Sequence, residues 1–352
     1  MPFILKDYKR LKKGDYGSFI LGGDIGGTNT NLGIFGIRNN KPLLLVLFNF
    51  ETKKLKGLHS AVNEALNYIK TAYQLKITKA CFAVAGILSA KKDFVATQNL
   101  PWDISKKELL KKTKLRKILF VNDFEAIGYG INALDKKGTI TIKKTKKTLK
   151  APIVVIGAGT GLGKTTLIYN EYYQSYIPLP SEAGHSDFSA QNQKELDLIN
   201  FLKKHKKIKQ NISYEEVLSG RGLSNIYLFL RKSKKFKETK YTKEVDKSKN
   251  NPVLISKYKK FDKACKETFT IFKRIYARFA RNSALDALSF GGVYIAGGIA
   301  SKNKDIFDRD FVRIFENNYK LGYVLNKMPI YLISNYNAGL LGAGFIGAKL
   351  LK

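Results

Sequence analysis

Three neighbouring strand-like segments followed by alternating helix-like and strand-like segments occur twice along the chain. This repeated order constrains the fold more than any single residue. In the first half, SFILGGDIGG, NLGIFGI and PLLLVLFNF have the composition of strands. The helix-spaced LKGLHSAVNEALNYIKTAY then precedes two further strand-like runs, KACFAVAG and KILFVND. In the second half, APIVVIGAG ends in glycines and passes to the alternating TTLIYN. Helical spacing covers residues 193–232 and 257–289; GGVYIAGG and PIYLIS read as strands, and KDIFDRDFVRIFENN and AGLLGAGFIGAKLL as helices. The order predicts two α/β domains of similar plan. Residues 1–17 read as a basic, weakly patterned extension. We place a small domain over 18–122 plus 336–352 and a large one over 123–335. The stretch RKSKKFKETKYTKEVDKSKNN is polar and reads as a solvated loop or a frayed helix end.

Composition narrows the class. With 44% hydrophobic and 26% charged residues over 352 positions, the chain can bury large cores, which excludes wholesale disorder. It has no run of uncharged apolar residues long enough for a membrane span. Two cysteines, Cys81 and Cys265, can build neither a disulfide framework nor a four-cysteine zinc site. The first residues lack the apolar stretch of a secretory signal, and the last are not a peroxisomal tail, so a reduced, cytoplasmic protein is expected. The net charge of +35 is the usual footprint of a nucleic-acid binder. However, only 10 of the 63 basic residues are Arg, the residue that groove readers favour, and the lysines are spread along the chain. We read the excess as a surface bias that attracts small anions, nucleotides included, and expect no specific nucleic-acid partner.

Three glycine-rich turns carry most of the functional signal. Asp24-Ile25-Gly26-Gly27-Thr28-Asn29 ends a strand on an acidic residue, and its glycines let the backbone fold tightly. Successive N–H groups and the Thr28 hydroxyl can then face a phosphate, and Asp24 can hold Mg²⁺ directly or through water. A plain β-hairpin would use the same residues. In the second turn, Ala158 through Thr165 nearly match a P-loop, with Ala in place of the first Gly. A P-loop leads into a helix, whereas TTLIYNEYYQSYIPL alternates and reads as a strand, so a phosphate cradle within a hairpin is expected. Whether Lys164 reaches a phosphate stays open. The third turn, GGVYIAGG over 291–298, would let a flat ligand such as adenine approach the backbone, or let a helix pack closely.

Polar residues cluster near these turns. Asn122-Asp123 follows the apolar run Ile118–Val121, at a strand's carboxyl end where α/β proteins bind ligands. An Asp there can accept a hydroxyl proton; it can equally cap the following helix. Glu182 and His185 in PSEAGH, with the later Glu215, offer several hydroxyl partners, and Asn99 lies in TQNLPW beside a Pro and the only Trp. His59 and His205 sit in solvated-looking helical segments and receive no role.

In this order, GDIGGTN, TQNLPW, VNDFEA, GAGTGLG, LPSEAGH, EEVLSGRGL, GGVYIAGG and NAGLLGAG resemble the bacterial-type ATP-dependent glucokinases, over residues 18 to 350. The resemblance implies the two-domain actin-like (ribonuclease H-like) α/β sugar kinase fold with an interdomain cleft that closes on sugar. It implies phosphorylation of the glucose C6 hydroxyl by ATP with Mg²⁺, at the head of glycolysis. Carried over by position, Asp123 is the catalytic base, and Asn99, Asn122, Asp123, Glu182, His185 and Glu215 contact the sugar. Asp24, Gly26, Gly27, Thr28, Asn29, Gly159 and Thr160 surround the ATP phosphates, with Mg²⁺ at Asp24, and Gly297 and Gly298 lie by the nucleoside. Departures from the family pattern are Gly86-Ile87 where Pro and an aliphatic residue are common, Ser181 and Ala183 where Gly is usual, and Arg221 where Pro is common. Dimers are common in the family, but no sequence feature here demonstrates one.

The alternatives are a kinase of another hexose, or a sugar- or nucleic-acid-binding protein on a kinase-like fold. A repressor of the related ROK type would need a DNA-binding domain and a cysteine-rich zinc segment; only 17 residues precede Ser18, and two cysteines cannot form that segment.

Overall fold

The strands Lys79–Val84, Ile153–Ala158 and Gly292–Ala296 are buried almost throughout, so both faces of each are covered. The computed structural model describes residues 3–8, 11, 13–39, 41–97, 100, 102–145, 148–233 and 235–351. The chain divides into two units, one made of residues 1–138, 169–179 and 335–352, the other of 139–168 and 180–334.

The strands of the first unit are β1 (Ile4–Asp7), β2 (Ser18–Ile25), β3 (Asn29–Arg38), β4 (Lys41–Glu51), β5 (Lys79–Val84), the short β6 (Ile87–Leu88), β7 (Phe94–Ala96) and β8 (Ile104–Ser105), and β9 (Lys117–Asn122). The main sheet has the order β1-β4-β3-β2-β5-β9. It is antiparallel from β1 to β2 and parallel from β2 to β9. Ala80, Phe82 and Val84 of β5 join a core with Val62, Leu66 and Ile69 of the helix Leu58–Tyr73. The alternate residues Cys81 and Ala83 face Ala126, Ala343 and Ile346, from the helices Asp123–Gly130 and Ala338–Leu350. Those two helices touch backbone to backbone: a Cβ on Gly342 would lie 1.7 Å from the Ala126 carbonyl oxygen. This contact is why residues 123–138 group with the first unit rather than separating from it after 122.

The second unit contains β10 (Thr139–Lys143), β11 (Ile153–Ala158), β12 (Leu162–Asn170), β14 (Gly292–Ala296) and β15 (Ile330–Ile333), with β13 (Ser175–Leu179) closing the sheet order β10-β15-β14-β11-β12-β13. Residues 169–179, which are the end of β12, the turn and the whole of β13, group with the first unit although β13 is the edge strand of this sheet. Here too an antiparallel hairpin, β11–β12, is followed by parallel neighbours, β11–β14–β15. Val154, Ile156, Val293, Ile295, Ile330 and Leu332 share one core with Phe272, Ile275 and Tyr276 of the long helix Lys263–Ala287. The predicted similarity of plan is therefore seen in both sheets.

Three local expectations are corrected. Within the basic extension, Ile4–Asp7 adds an edge strand to β4, Phe3 packs 5.3 Å from the Phe48 ring, and Asp7 accepts from the Tyr73 hydroxyl. The polar stretch near 240 holds a helix, Lys240–Lys247, closed by a capping box between Thr239 and Thr242 and by the Thr239 hydroxyl on Asp262, 2.8 Å away. The helical reading over 193–232 resolves into Gln193–Lys206 and Gly220–Lys232, because Lys207 takes the left-handed conformation and ends the first helix. Cys81 and Cys265 are buried free thiols.

Candidate active site

In the first unit the turn between β2 and β3 is short and exposed at its tip, where Thr28 and Asn29 face solvent. The Gly26 N–H donates to the Asn29 carbonyl at 2.9 Å. Thr52, fully buried behind the turn, fixes it from two sides. Its N–H donates to the Thr28 carbonyl at 3.0 Å, and its hydroxyl donates to the Gly26 carbonyl at 2.7 Å. The Thr30 hydroxyl lies 3.0 Å from that of Thr52. Thr52 escaped the sequence reading: it follows the third strand with no pattern of its own, and its role exists only through β3–β4 pairing.

Asp24 occupies the end of β2, half-buried, against the start of the helix Ala338–Leu350; a Cβ on Gly339 would stand 3.1 Å from its Oδ2. Burial, and then the nearby Asp123 carboxylate, raise its pKa from 3.8 to about 7. Asn122 ends β9 and caps the next helix, its Oδ1 accepting from the N–H groups of Phe124 at 2.8 Å and Glu125 at 3.3 Å. Asp123 is thus the first helical residue, half-buried, with Oδ1 accepting from the Phe124 N–H at 2.9 Å. The cap function falls to Asn122 and leaves Asp123 beside Asp24. Asn99 lies outside the described residues. Near it, the Trp102 indole donates to the Leu55 carbonyl at 3.2 Å and the Thr97 hydroxyl to the Trp102 carbonyl at 2.8 Å.

In the second unit the turn between β11 and β12 holds Gly159 and the exposed Thr160. The Gly159 N–H donates to the Gly161 carbonyl at 2.8 Å, and the Gly220 N–H, at the start of the helix Gly220–Lys232, donates to the Gly159 carbonyl at 2.8 Å. Glu215 braces the far side: its Oε2 accepts from the Leu162 N–H at 2.9 Å, and its Oε1 from Arg221 at 3.0 Å. The Leu162 carbonyl faces Gly184, whose Cβ would lie 2.0 Å from it. This close approach seats the short helix Ala183–His185 on the turn. Glu182 and His185 flank Gly184, are largely exposed, and approach each other at 3.8 Å. The Ser181 hydroxyl accepts from the Ala183 N–H at 3.2 Å, so the departures from Gly at 181 and 183 are accommodated locally.

Gly297 has φ 95°, and a Cβ there would lie 2.5 Å from the Ala158 carbonyl. This glycine therefore serves close packing of β14 on β11. Gly298 meets nothing within 4 Å on its Cβ side and borders open space. Lys164 is buried and paired with Asp286 of the helix Lys263–Ala287, on a strand that pairs with β11 throughout. A P-loop lysine at the head of a helix is not what this residue is.

The candidates therefore form two groups: Asp24, Gly26, Gly27, Thr28, Asn29, Asn122 and Asp123 in the first unit, and Gly159, Thr160, Glu182, His185, Glu215, Gly297 and Gly298 in the second. Among the described residues no three His, Cys, Asp or Glu side chains gather as a metal cluster, and no helix is long and apolar enough to cross a membrane.

The family model described as Glucokinase matches residues 21–350. A glucokinase of Nostoc sp. is 33% identical over 348 residues, spanning 95% of this chain and 100% of its own. The crystal structure of a glucokinase from an Antarctic psychrotroph superposes with a TM-score of 0.77 at 26% identity, covering 94% of this chain and 99% of that one. A ROK family glucokinase from Streptomyces griseus covers 94% of this chain and 99% of its own at a lower TM-score of 0.63 and 17% identity. Such folds are the two-domain actin-like sugar kinase architecture.

Proposed function

The chain belongs to the glucokinase family and is an ATP-dependent hexose kinase that phosphorylates glucose; from this premise we propose that Asp123 is the general base and that the two glycine turns hold the nucleotide phosphates. One observation carries the proposal: in the first unit Asp123, the first residue of a helix capped by Asn122, lies near Asp24, which ends the strand leading into a turn exposed at Thr28 and Asn29.

Phosphoryl transfer asks the protein mainly for positioning and for neutralising charge. The Asp123 carboxylate takes the proton of the glucose C6 hydroxyl as its oxygen bonds to the γ-phosphorus of ATP and the bond from that phosphorus to ADP breaks, ADP being the leaving group. Its place as the first residue of a capped helix fixes it and favours its negative charge. With the Gly26 and Gly159 N–H groups closing their own turns, the N–H groups of Gly27, Thr28 and Thr160 face the phosphate oxygens, and buried Thr52 keeps the first turn from yielding. Asn99, Asn122, Glu182, His185 and Glu215 supply partners for the sugar hydroxyls, so that a missing hydroxyl leaves polar groups unpaired. Gly298, open on its Cβ side, lies by the nucleoside.

Mg²⁺ fits Asp24. A half-buried carboxylate whose proton affinity is raised gains from a nearby dication, and one or two carboxylates with waters and phosphate oxygens are the usual magnesium set. Bound there, the ion neutralises phosphate charge. The protein is proposed to act in the cytoplasm as the entry step of glycolysis.

A coupled assay of the purified protein with Mg-ATP and a panel of hexoses, with a control lacking sugar, tests this reading. ADP formation that requires glucose supports it. ATP hydrolysis that ignores the sugar contradicts it, and a stronger response to another hexose moves the specificity.

A further inference from the structure

We propose that Arg221 is a positioning residue that holds the Glu215 carboxylate and so couples sugar recognition to the second phosphate turn. This rests on Glu215 being a sugar contact.

Arg221 is the second residue of the helix Gly220–Lys232, whose first turn contains no acidic residue. A cation there opposes the helix dipole, which favours negative charge at this end. The guanidinium is thus an addition that the helix itself does not need. It turns to Glu215, with Nη2 3.0 Å from Oε1, while Nη1 is 3.8 Å from Glu216 Oε1. Glu216 is already engaged at its other oxygen, by Lys206 at 2.5 Å and Asn225 at 3.2 Å. Glu215 is therefore the main partner.

The Arg221 side chain is 54% exposed and that of Glu215 14% exposed. With the guanidinium half exposed to water, the pair adds little to fold stability. Its consequence is geometric. The two carboxylate oxygens of Glu215 are tied in different directions, Oε1 to Arg221 and Oε2 to the Leu162 N–H at the end of the Gly159–Leu162 turn. A Cβ on Gly161 would lie 2.7 Å from the same Oε2, so the turn and the carboxylate fit closely. With Arg221 in place, Glu215 holds one rotamer, and a sugar hydroxyl meets a carboxylate that already grips the phosphate turn. Without it, Glu215 retains its bond to Leu162 but is free to swing about it.

The test compares wild type with Arg221→Gln, Arg221→Lys, Arg221→Pro and Glu215→Gln, and with the double variant Arg221→Gln/Glu215→Gln. Arg221→Gln should raise KM for glucose by about 5- to 20-fold while kcat changes by less than about 3-fold. Arg221→Pro keeps the helix start but lacks the cation, and should behave like Arg221→Gln. Arg221→Lys, which keeps the charge, should recover part of the loss. On the Glu215→Gln background the Arg221→Gln change should add little to KM or to glucose affinity by calorimetry, because Arg221 acts through Glu215. Thermal melting of Arg221→Gln should match wild type. An unchanged KM for glucose in active Arg221→Gln, or effects that simply add in the double variant, overturns the proposal and leaves the kinase reading intact. A wild-type protein without glucose-dependent turnover removes that reading instead.

Discussion

The two hairpin turns come from the same strand plan, yet their polar surroundings differ. Beside the β2–β3 turn stand Asp24 and Asp123, and burial together with the Asp123 carboxylate disfavours charge on Asp24. Beside the β11–β12 turn stands Glu215, matched by Arg221, and the next strand carries Lys164, matched by Asp286. These two ion pairs of the second unit serve to hold shape. The first unit keeps a carboxylate at a raised proton affinity, a cost to folding that is retained where charge must later be met by a ligand. The shared sheet explains the turns; the difference in pairing agrees with the proposed proton chemistry at Asp123 in the first unit and a bracing role for Glu215 in the second.

The comparison breaks first if the packing beneath the turns is wrong. Gly342→Ala places a Cβ against the Ala126 carbonyl and Gly184→Ala places one against the Leu162 carbonyl. Each should lower stability by on the order of 3 kcal/mol in urea unfolding. A variant that unfolds like wild type would refute the corresponding close approach.

A smaller effect sharpens the contrast of charge. Between pH 3.8 and about 7 the folded chain holds the Asp24 proton that the unfolded chain has released. Stability therefore falls as pH rises through that window, and the deficit is constant above it. Asp24→Asn should stabilise the ligand-free protein at pH 8 by on the order of 2 kcal/mol, and hardly at pH 4. Equal effects at both pH values would show that the raised pKa is not the source.

The smallest effect concerns Lys164. Because its ammonium is committed to Asp286, Lys164→Met should change kcat by less than about 3-fold, whereas loss of a phosphate-binding lysine would cost about 100-fold or more.

What the sequence made legible follows from how local each signal is. Short apolar runs, several ending in glycines, marked β2, β3, β5, β9, β11 and β14, because a strand buried on both faces shows its pattern in its own residues. The edge strand Ile4–Asp7 did not show itself, since four residues that include Lys6 and Asp7 give no apolar run and its pairing with β4 is distant in sequence. The helix Lys240–Lys247 was hidden for a similar reason: its cap draws on Asp262, 23 residues away in sequence from Thr239. At the site, residue types and strand ends pointed to Asp24, Asn122 and Asp123. The brace from Thr52 and the double engagement of Glu215 depend on contacts across the fold that no spacing reveals.

The most direct measurement takes Asp123→Asn, which preserves shape at the first position of a helix capped by Asn122. Turnover with Mg-ATP and glucose and equilibrium glucose binding would be measured on the same preparation. The assignment of proton chemistry to the first unit predicts glucose affinity within about 3-fold of wild type and kcat reduced by about 1,000-fold or more. Turnover near the wild-type rate, with binding intact, would contradict it.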